Sequence, residues 1–157
     1  MEATLVYPHQ LFSSHPALSR NRQVFIIEDP LFFLDHEFPL KFHKQKIVLH
    51  HLSINNYYNK LKKENYDVKV ISYKSFIDKE FLKTFFIDNS INKIFYADLH
   101  DYELNKRLSQ ITKDLKIKSV VCQSPSFLLD NDQVEDDFKG KNKFMMAQFY
   151  QKQRKRF

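Results

Sequence analysis

Glycine is nearly absent from this chain of 157 residues, where Gly140 is the single example. Phosphate-cradling P-loops and dinucleotide-binding fingerprints each need several glycines to bring the backbone close to a phosphate, so neither can be built here. A serine-hydrolase elbow, which needs glycines around its nucleophile, is excluded on the same ground. Tryptophan is missing, and Cys122 is the only cysteine. One thiol makes no intrachain disulfide and supplies neither an iron–sulfur cluster nor a thiolate zinc site. No pair of histidines four apart frames a glutamate, and the adjacent His50 and His51 project to different sides of a helix, so no metal site is expected. The apolar runs fall well short of the ~20 residues that span a bilayer. The opening Met1-Glu2-Ala3 carries no basic leader, and the expectation is a cytoplasmic chain with no membrane partner.

What is present is ring surface and charge. The sequence holds 16 Phe and 8 Tyr, with 43% hydrophobic and 28% charged residues, a composition that folds. Its length suits one domain that buries roughly 70% of its unfolded surface. The formal charge is +6, and Lys152, Arg154, Lys155 and Arg156 crowd the last six residues. A basic end of this kind allows a functional alternative, a stand-alone α/β module that binds nucleic acid through its terminal cations.

Short β-branched and aromatic runs alternate with longer segments of three- and four-residue apolar spacing, the pattern of repeated strand–helix units. Strands are expected at 4–7, 23–28, 67–72, 93–97 and 118–122. A helix is expected over 46–65, with Val48, Leu49, Leu52, Tyr58 and Leu61 facing inward and Asn55, Asn59, Lys62 and Lys63 outward. A second helix starts from a cap at Ser75 and carries Phe76, Ile77, Phe81, Leu82, Phe85 and Phe86 on its apolar face. A third, capped by Asp98 or Asp101, buries Leu104, Leu108, Ile111 and Leu115. The acidic segment 130–137 reads as a surface loop or short turn. A last helix begins near Asn142, with Phe144, Met145, Phe149 and Gln148 inward. The predicted architecture is α/β, an open, mainly parallel five-stranded Rossmann-like sheet with helices on both faces, in a single domain over 1–157. In such sheets ligands bind beyond the carboxyl ends of the strands.

Several segments, in order, carry a family resemblance. Phe42-His43-Lys44-Gln45-Lys46 precedes the long helix, which is followed by Tyr66-Asp67-Val68-Lys69-Val70. Residues 96–102 run from a strand through Asp98 and Asp101 to Tyr102, at positions where the family tends to carry Glu, Glu and Trp. Lys143-Phe144-Met145-Met146-Ala147-Gln148-Phe149-Tyr150 leads to Arg154. With Gln10-Leu11 after the first strand and Glu28 closing the second, these segments resemble the N-terminal, antenna-type domain of deoxyribodipyrimidine photolyase-related proteins, the bacterial photolyase and cryptochrome group with an iron–sulfur cluster.

The resemblance implies a noncatalytic part of a light-dependent DNA-repair or cryptochrome-like flavoprotein. It would hold an antenna chromophore such as 6,7-dimethyl-8-ribityllumazine, with no catalytic residue of its own. FAD and the iron–sulfur cluster are expected in a helical C-terminal partner region, toward which 142–157 would begin a linker helix. DNA would bind weakly if at all, and oligomeric state is left open. The chromophore-binding candidates are His9, Gln10, Leu11, Glu28, His43, Lys46, Asp98 and Tyr102. One departure falls at the candidate site: where the family has Gly-Asp before Gln-Leu, this chain has Pro8-His9, a rigid ring and an imidazole of ordinary pKa ~6.5 in place of a flexible backbone and a carboxylate.

Overall fold

A computed structural model describes residues 1–157, which form two compact units, 1–125 and 126–157. The larger unit is built on five parallel strands: β1 (Glu2–Val6), β2 (Gln23–Ile27), β3 (Val68–Ile71), β4 (Lys93–Ala97) and β5 (Lys118–Cys122). Their order across the sheet is β3-β2-β1-β4-β5, with Leu5 beside Phe25 and Thr4 beside Phe95 in register. The central strands are buried on both faces, which is why β2 reads as the unbroken run Val24, Phe25, Ile26 and Ile27. The chain therefore has the Rossmann-like α/β fold expected of it, with every strand pairing parallel.

Alternate side chains of the strands feed two cores. Leu5, Tyr7, Phe25, Ile27 and Ile94 meet helices α2 (Phe81–Asp88) and α3 (Tyr102–Asp114) through Leu82, Phe86, Leu104 and Leu108. Val6, Val24, Ile26 and Val68 meet helix α1 (Lys44–Lys63) through Ile54, Tyr57 and Leu61 on the opposite face. Burial of each such side chain is worth about 1.5–3 kcal/mol, enough to offset the weak helix propensity of the Asn and β-branched residues in α1.

The inward face of α1 differs from the one expected. Val48, Leu49 and Leu52 are exposed by 54–63%, while Ile47, Ile54, Tyr57, Tyr58 and Leu61 pack on the core. Helix phase explains the difference: at 3.6 residues per turn Val48, Leu49 and Leu52 fall on the side that also carries Asn55 and Asn59, opposite Ile47, Ile54 and Leu61. Twenty residues extend about 30 Å, whereas strands of four or five residues extend roughly 13–17 Å, so the first turns of α1 overhang the carboxyl edge of the sheet. There the inward stripe of His50 and His51 packs on Phe32, Phe33 and Tyr73 instead. The second helix also starts later than expected. Ser72 caps a 3₁₀ turn at Tyr73–Ser75, α2 begins only at Phe81, and Ile77 is 83% exposed.

All three helices of this unit end in the same way, without glycine. Asn65, Ser90 and Lys116 take left-handed φ values of 63°, 49° and 54°. The next residues, Tyr66, Ile91 and Ile117, donate back to the carbonyls of Leu61, Phe86 and Thr112. These are Schellman closures, in which a non-glycine residue occupies the position that glycine fills at least cost.

The smaller unit holds α4 (Asn131–Phe138) and α5 (Met146–Arg156). The acidic segment is thus a helix rather than a loop. Asp130 and Gln133 form a reciprocal capping box that starts it. The final helix begins at Met146, four residues later than expected. Phe144 and Met145 lie outside it and are exposed, and Gln148 is exposed on it, while Phe149 stacks on Phe138 at 5.0 Å. Asp137 accepts from Lys152 and Gln153, tying the two helices together. Gly140, at φ 72°, makes the turn between them.

Candidate functional site at the carboxyl edge

The sheet order reverses direction between β1 and β4, so the loops leaving these two strands diverge and open a crevice at the carboxyl edge. Gln10 fastens one wall of it. Its side chain is fully buried, and the amide Nε2 donates to the carbonyls of Ala97 at 3.0 Å and Asp98 at 2.9 Å. The loop after β1 is thereby tied to the end of β4. The remaining amide oxygen of Gln10 is buried without a partner.

His9, exposed at the mouth, stacks on Phe32 with ring centroids 5.3 Å apart. Desolvation by the surrounding protein holds its imidazole below the ordinary pKa, an effect opposed by Asp101 and reinforced by His100. The stack continues through His50, edge-on to Phe32 at 5.8 Å, to the buried Phe33, which lies flat against Tyr73 at 4.9 Å. Glu28, 5% exposed at the end of β2, receives His51 Nδ1 at 2.9 Å on one oxygen and the Tyr73 amide at 3.2 Å on the other.

Between the loop after β1 and the inner side of α1 lies a cleft of about 560 Å³. Pro8, His9, Leu11 and Phe12 form its apolar and ring-bearing wall, and Ser13, Ser53, Asn56, Tyr57 and Lys60 form its polar wall. Lys60 Nζ closes one end by donating to the Ser13 carbonyl at 2.6 Å. The Tyr57 hydroxyl is buried with no hydrogen-bond partner, and burial pushes its pKa upward.

Among the eight residues named from the sequence, His9 and Leu11 line this cleft. Gln10 and Glu28 hold its supporting segments in place. Asp98 contributes its carbonyl to Gln10 and its amide to Cys122. The other three lie elsewhere. His43 is the N-cap of α1 and accepts from the Gln45 amide at 3.2 Å. Lys46 rests its ammonium 3.6 Å above the Phe42 ring. Tyr102 is 74% exposed as the first residue of α3, behind its cap Asp101. Sequence reasoning missed Ser53, Asn56, Tyr57 and Lys60, although their helical spacing was available as a polar stripe beside Ile54 and Leu61.

The chain is 30% identical over 162 residues to the "Uncharacterized protein R852" of Acanthamoeba polyphaga mimivirus, an alignment that covers 98% of this chain and 81% of that protein. The family model described as deoxyribodipyrimidine photo-lyase-related protein matches residues 4–157, which takes in both compact units. The chain belongs to the deoxyribodipyrimidine photo-lyase-related protein family.

Proposed function

We propose that the chain is a noncatalytic, chromophore-holding part of a photolyase-related flavoprotein, and that 6,7-dimethyl-8-ribityllumazine occupies the cleft between the β1 loop and α1. The observation that carries this reading is the two-sided lining of the cleft. A flat heterocycle packs against Pro8, Leu11, Phe12 and the face of His9, and a ribityl chain needs the hydroxyl and amide groups that Ser13, Ser53, Asn56 and Tyr57 supply. The buried, unpartnered Tyr57 hydroxyl supports it further, because such a group normally has a partner. A volume of about 560 Å³ suits a ligand of this size. No glycine-rich phosphate grip is needed, since a ribityllumazine carries no phosphate.

When bound, the lumazine supplies light absorption and passes excitation onward. This chain's residues hold and orient it. FAD and an iron–sulfur cluster belong, on this reading, to a helical C-terminal partner region. DNA repair needs a deep pocket for an extruded base, which the partner region would provide. A cytoplasmic location goes with this reading.

Fluorescence titration of the lumazine with the protein tests it. Saturable quenching or a spectral shift is expected, weakened at least fivefold by Tyr57→Phe or Gln10→Ala. A flat titration overturns the chromophore assignment. The competing basic-module reading rests on Arg154, Lys155 and Arg156, all exposed at the end of α5. It predicts DNA binding that falls steeply with salt and vanishes when the last six residues are removed.

A further inference from the structure

A second cavity of about 360 Å³ opens on the other face of the sheet, between the loop that follows β2 and helices α2 and α3. Phe76, Leu82 and Ile111 give it an apolar floor. Its rim carries seven carboxylates against four lysine or arginine cations. Most of those cations are already neutralised. Arg107 holds Asp35 through two bonds of 2.6 and 3.0 Å and Glu37 through a third of 2.9 Å. Lys83 pairs with Asp114, and Lys106 with Glu103.

Asp29 stands apart in this lining. It is 5% exposed, yet only one of its oxygens is engaged, accepting from the Leu31 amide at 3.0 Å. Capping the 3₁₀ turn at Pro30–Phe32 uses that one oxygen, and an Asn or Ser would cap equally well without a buried charge. The second oxygen is left at the cavity. Tyr7 lies in the core behind Asp29 and outside the cavity lining, and burial together with the Asp29 charge raises its hydroxyl pKa. A buried carboxylate with a spare oxygen, an excess of negative charge and an apolar floor together describe a receptor for a cation that carries a hydrocarbon body.

We infer that this second cavity binds a small organic ammonium ion, with Asp29 as its counter-charge and Phe76, Leu82 and Ile111 receiving its apolar part. The site is independent of the chromophore cleft and stands or falls separately from it. The charged and titratable groups facing Asp29 are Arg107, Asp35, Asp101 and Tyr7. Burial, with Asp35 and Asp101, raises the Asp29 carboxyl to about 6 against the opposing pull of Leu31 N–H and Arg107. Ammonium affinity should accordingly be full above pH 7 and decline through pH 6.

Calorimetric titration with phenethylammonium, against neutral 2-phenylethanol and anionic 3-phenylpropanoate, tests the assignment on the full chain. Expected is a preference for the ammonium of at least tenfold over the alcohol at pH 7.5, reduced at least fivefold at pH 5. Asp29→Asn should bring ammonium and alcohol to parity while the thermal midpoint is not lowered. Amide shifts on ammonium addition should centre on Phe76 and Ile111, which keeps the wild-type chain decisive by itself. Equal affinity for alcohol and ammonium, an undiminished preference in Asp29→Asn, or shifts confined to Leu11 and Ser53 would overturn it.

Discussion

Glu28 and His51 meet at 2.9 Å across 23 residues of sequence, and the contact fastens the overhanging half of α1 to the end of β2. Because the other Glu28 oxygen accepts from the Tyr73 amide, the carboxylate is fully used within the protein. Its role in ligand binding is therefore one of positioning. Glu28→Ala should lower stability by about 2–3 kcal/mol, since it removes two hydrogen bonds to a charged acceptor and leaves the donors unmet. Glu28→Gln should cost less. Urea unfolding of the three proteins measures the difference, and in the unfolding-resistant fraction lumazine affinity should fall in the same order.

Lys116 and Ser90 occupy left-handed positions that disfavour any side chain. Lys116→Gly and Ser90→Gly should each stabilise the chain by about 0.5–1 kcal/mol, the relief of left-handed strain exceeding the added entropy of the unfolded glycine. Denaturant midpoints should rise with no change in slope. Neither residue lines the cleft.

Leu52 and Ile54 lie two residues apart on α1 and are 62% and 2% exposed, respectively. Leu52→Lys should change stability by less than about 0.5 kcal/mol, whereas Ile54→Lys should cost about 4 kcal/mol or more by placing an unpaired charge in the core. Thermal unfolding followed by circular dichroism separates the two.

The same helix shows what the sequence could and could not reveal. The strands were legible because buried parallel strands need continuous apolar runs, as in Val24–Phe25–Ile26–Ile27, bounded by Pro8 and Pro30. Leu104 and Leu108 on α3 were legible because the aliphatic residues of that helix, Leu104, Leu108 and Ile111, all recur on one stripe, with no aliphatic residue on the opposite side to compete. The rotation of α1 was not, because Val48, Leu49 and Leu52 are apolar residues on the side of the helix that also carries Asn55 and Asn59, while the inward stripe includes the polar His50 and His51, whose rings pack on Phe33. The cleft was half legible. His9 and Leu11 follow directly from the loop after β1, but Ser53, Asn56 and Tyr57 come from a helix that is distant in sequence and whose rotation the apolar spacing misplaces. The capping box at Asp130 and Gln133 was present as letters, hidden by the acidic composition around it.

His15 makes stability depend on pH. It is 5% exposed, accepts from the Ala17 amide through Nδ1, and leaves Nε2 unpartnered. Burial lowers its pKa to about 4. A histidine whose folded pKa lies below its unfolded value contributes stability that is present above about pH 6.5 and is lost as pH falls toward 4. Over that window the wild type should lose about 1–3 kcal/mol more than His15→Gln. Urea midpoints collected from pH 7.5 to pH 4 give the comparison.

Amide chemical-shift mapping of the isotope-labelled chain during titration with 6,7-dimethyl-8-ribityllumazine reads occupancy of the cleft residue by residue. Saturable shifts at Leu11, Phe12, Ser53, Asn56 and Tyr57, with Phe76, Arg107 and Ile111 unmoved, are the predicted result. An unchanged spectrum at saturating lumazine, or shifts confined to the α2 and α3 side of the sheet, would contradict the assignment of the cleft to the chromophore.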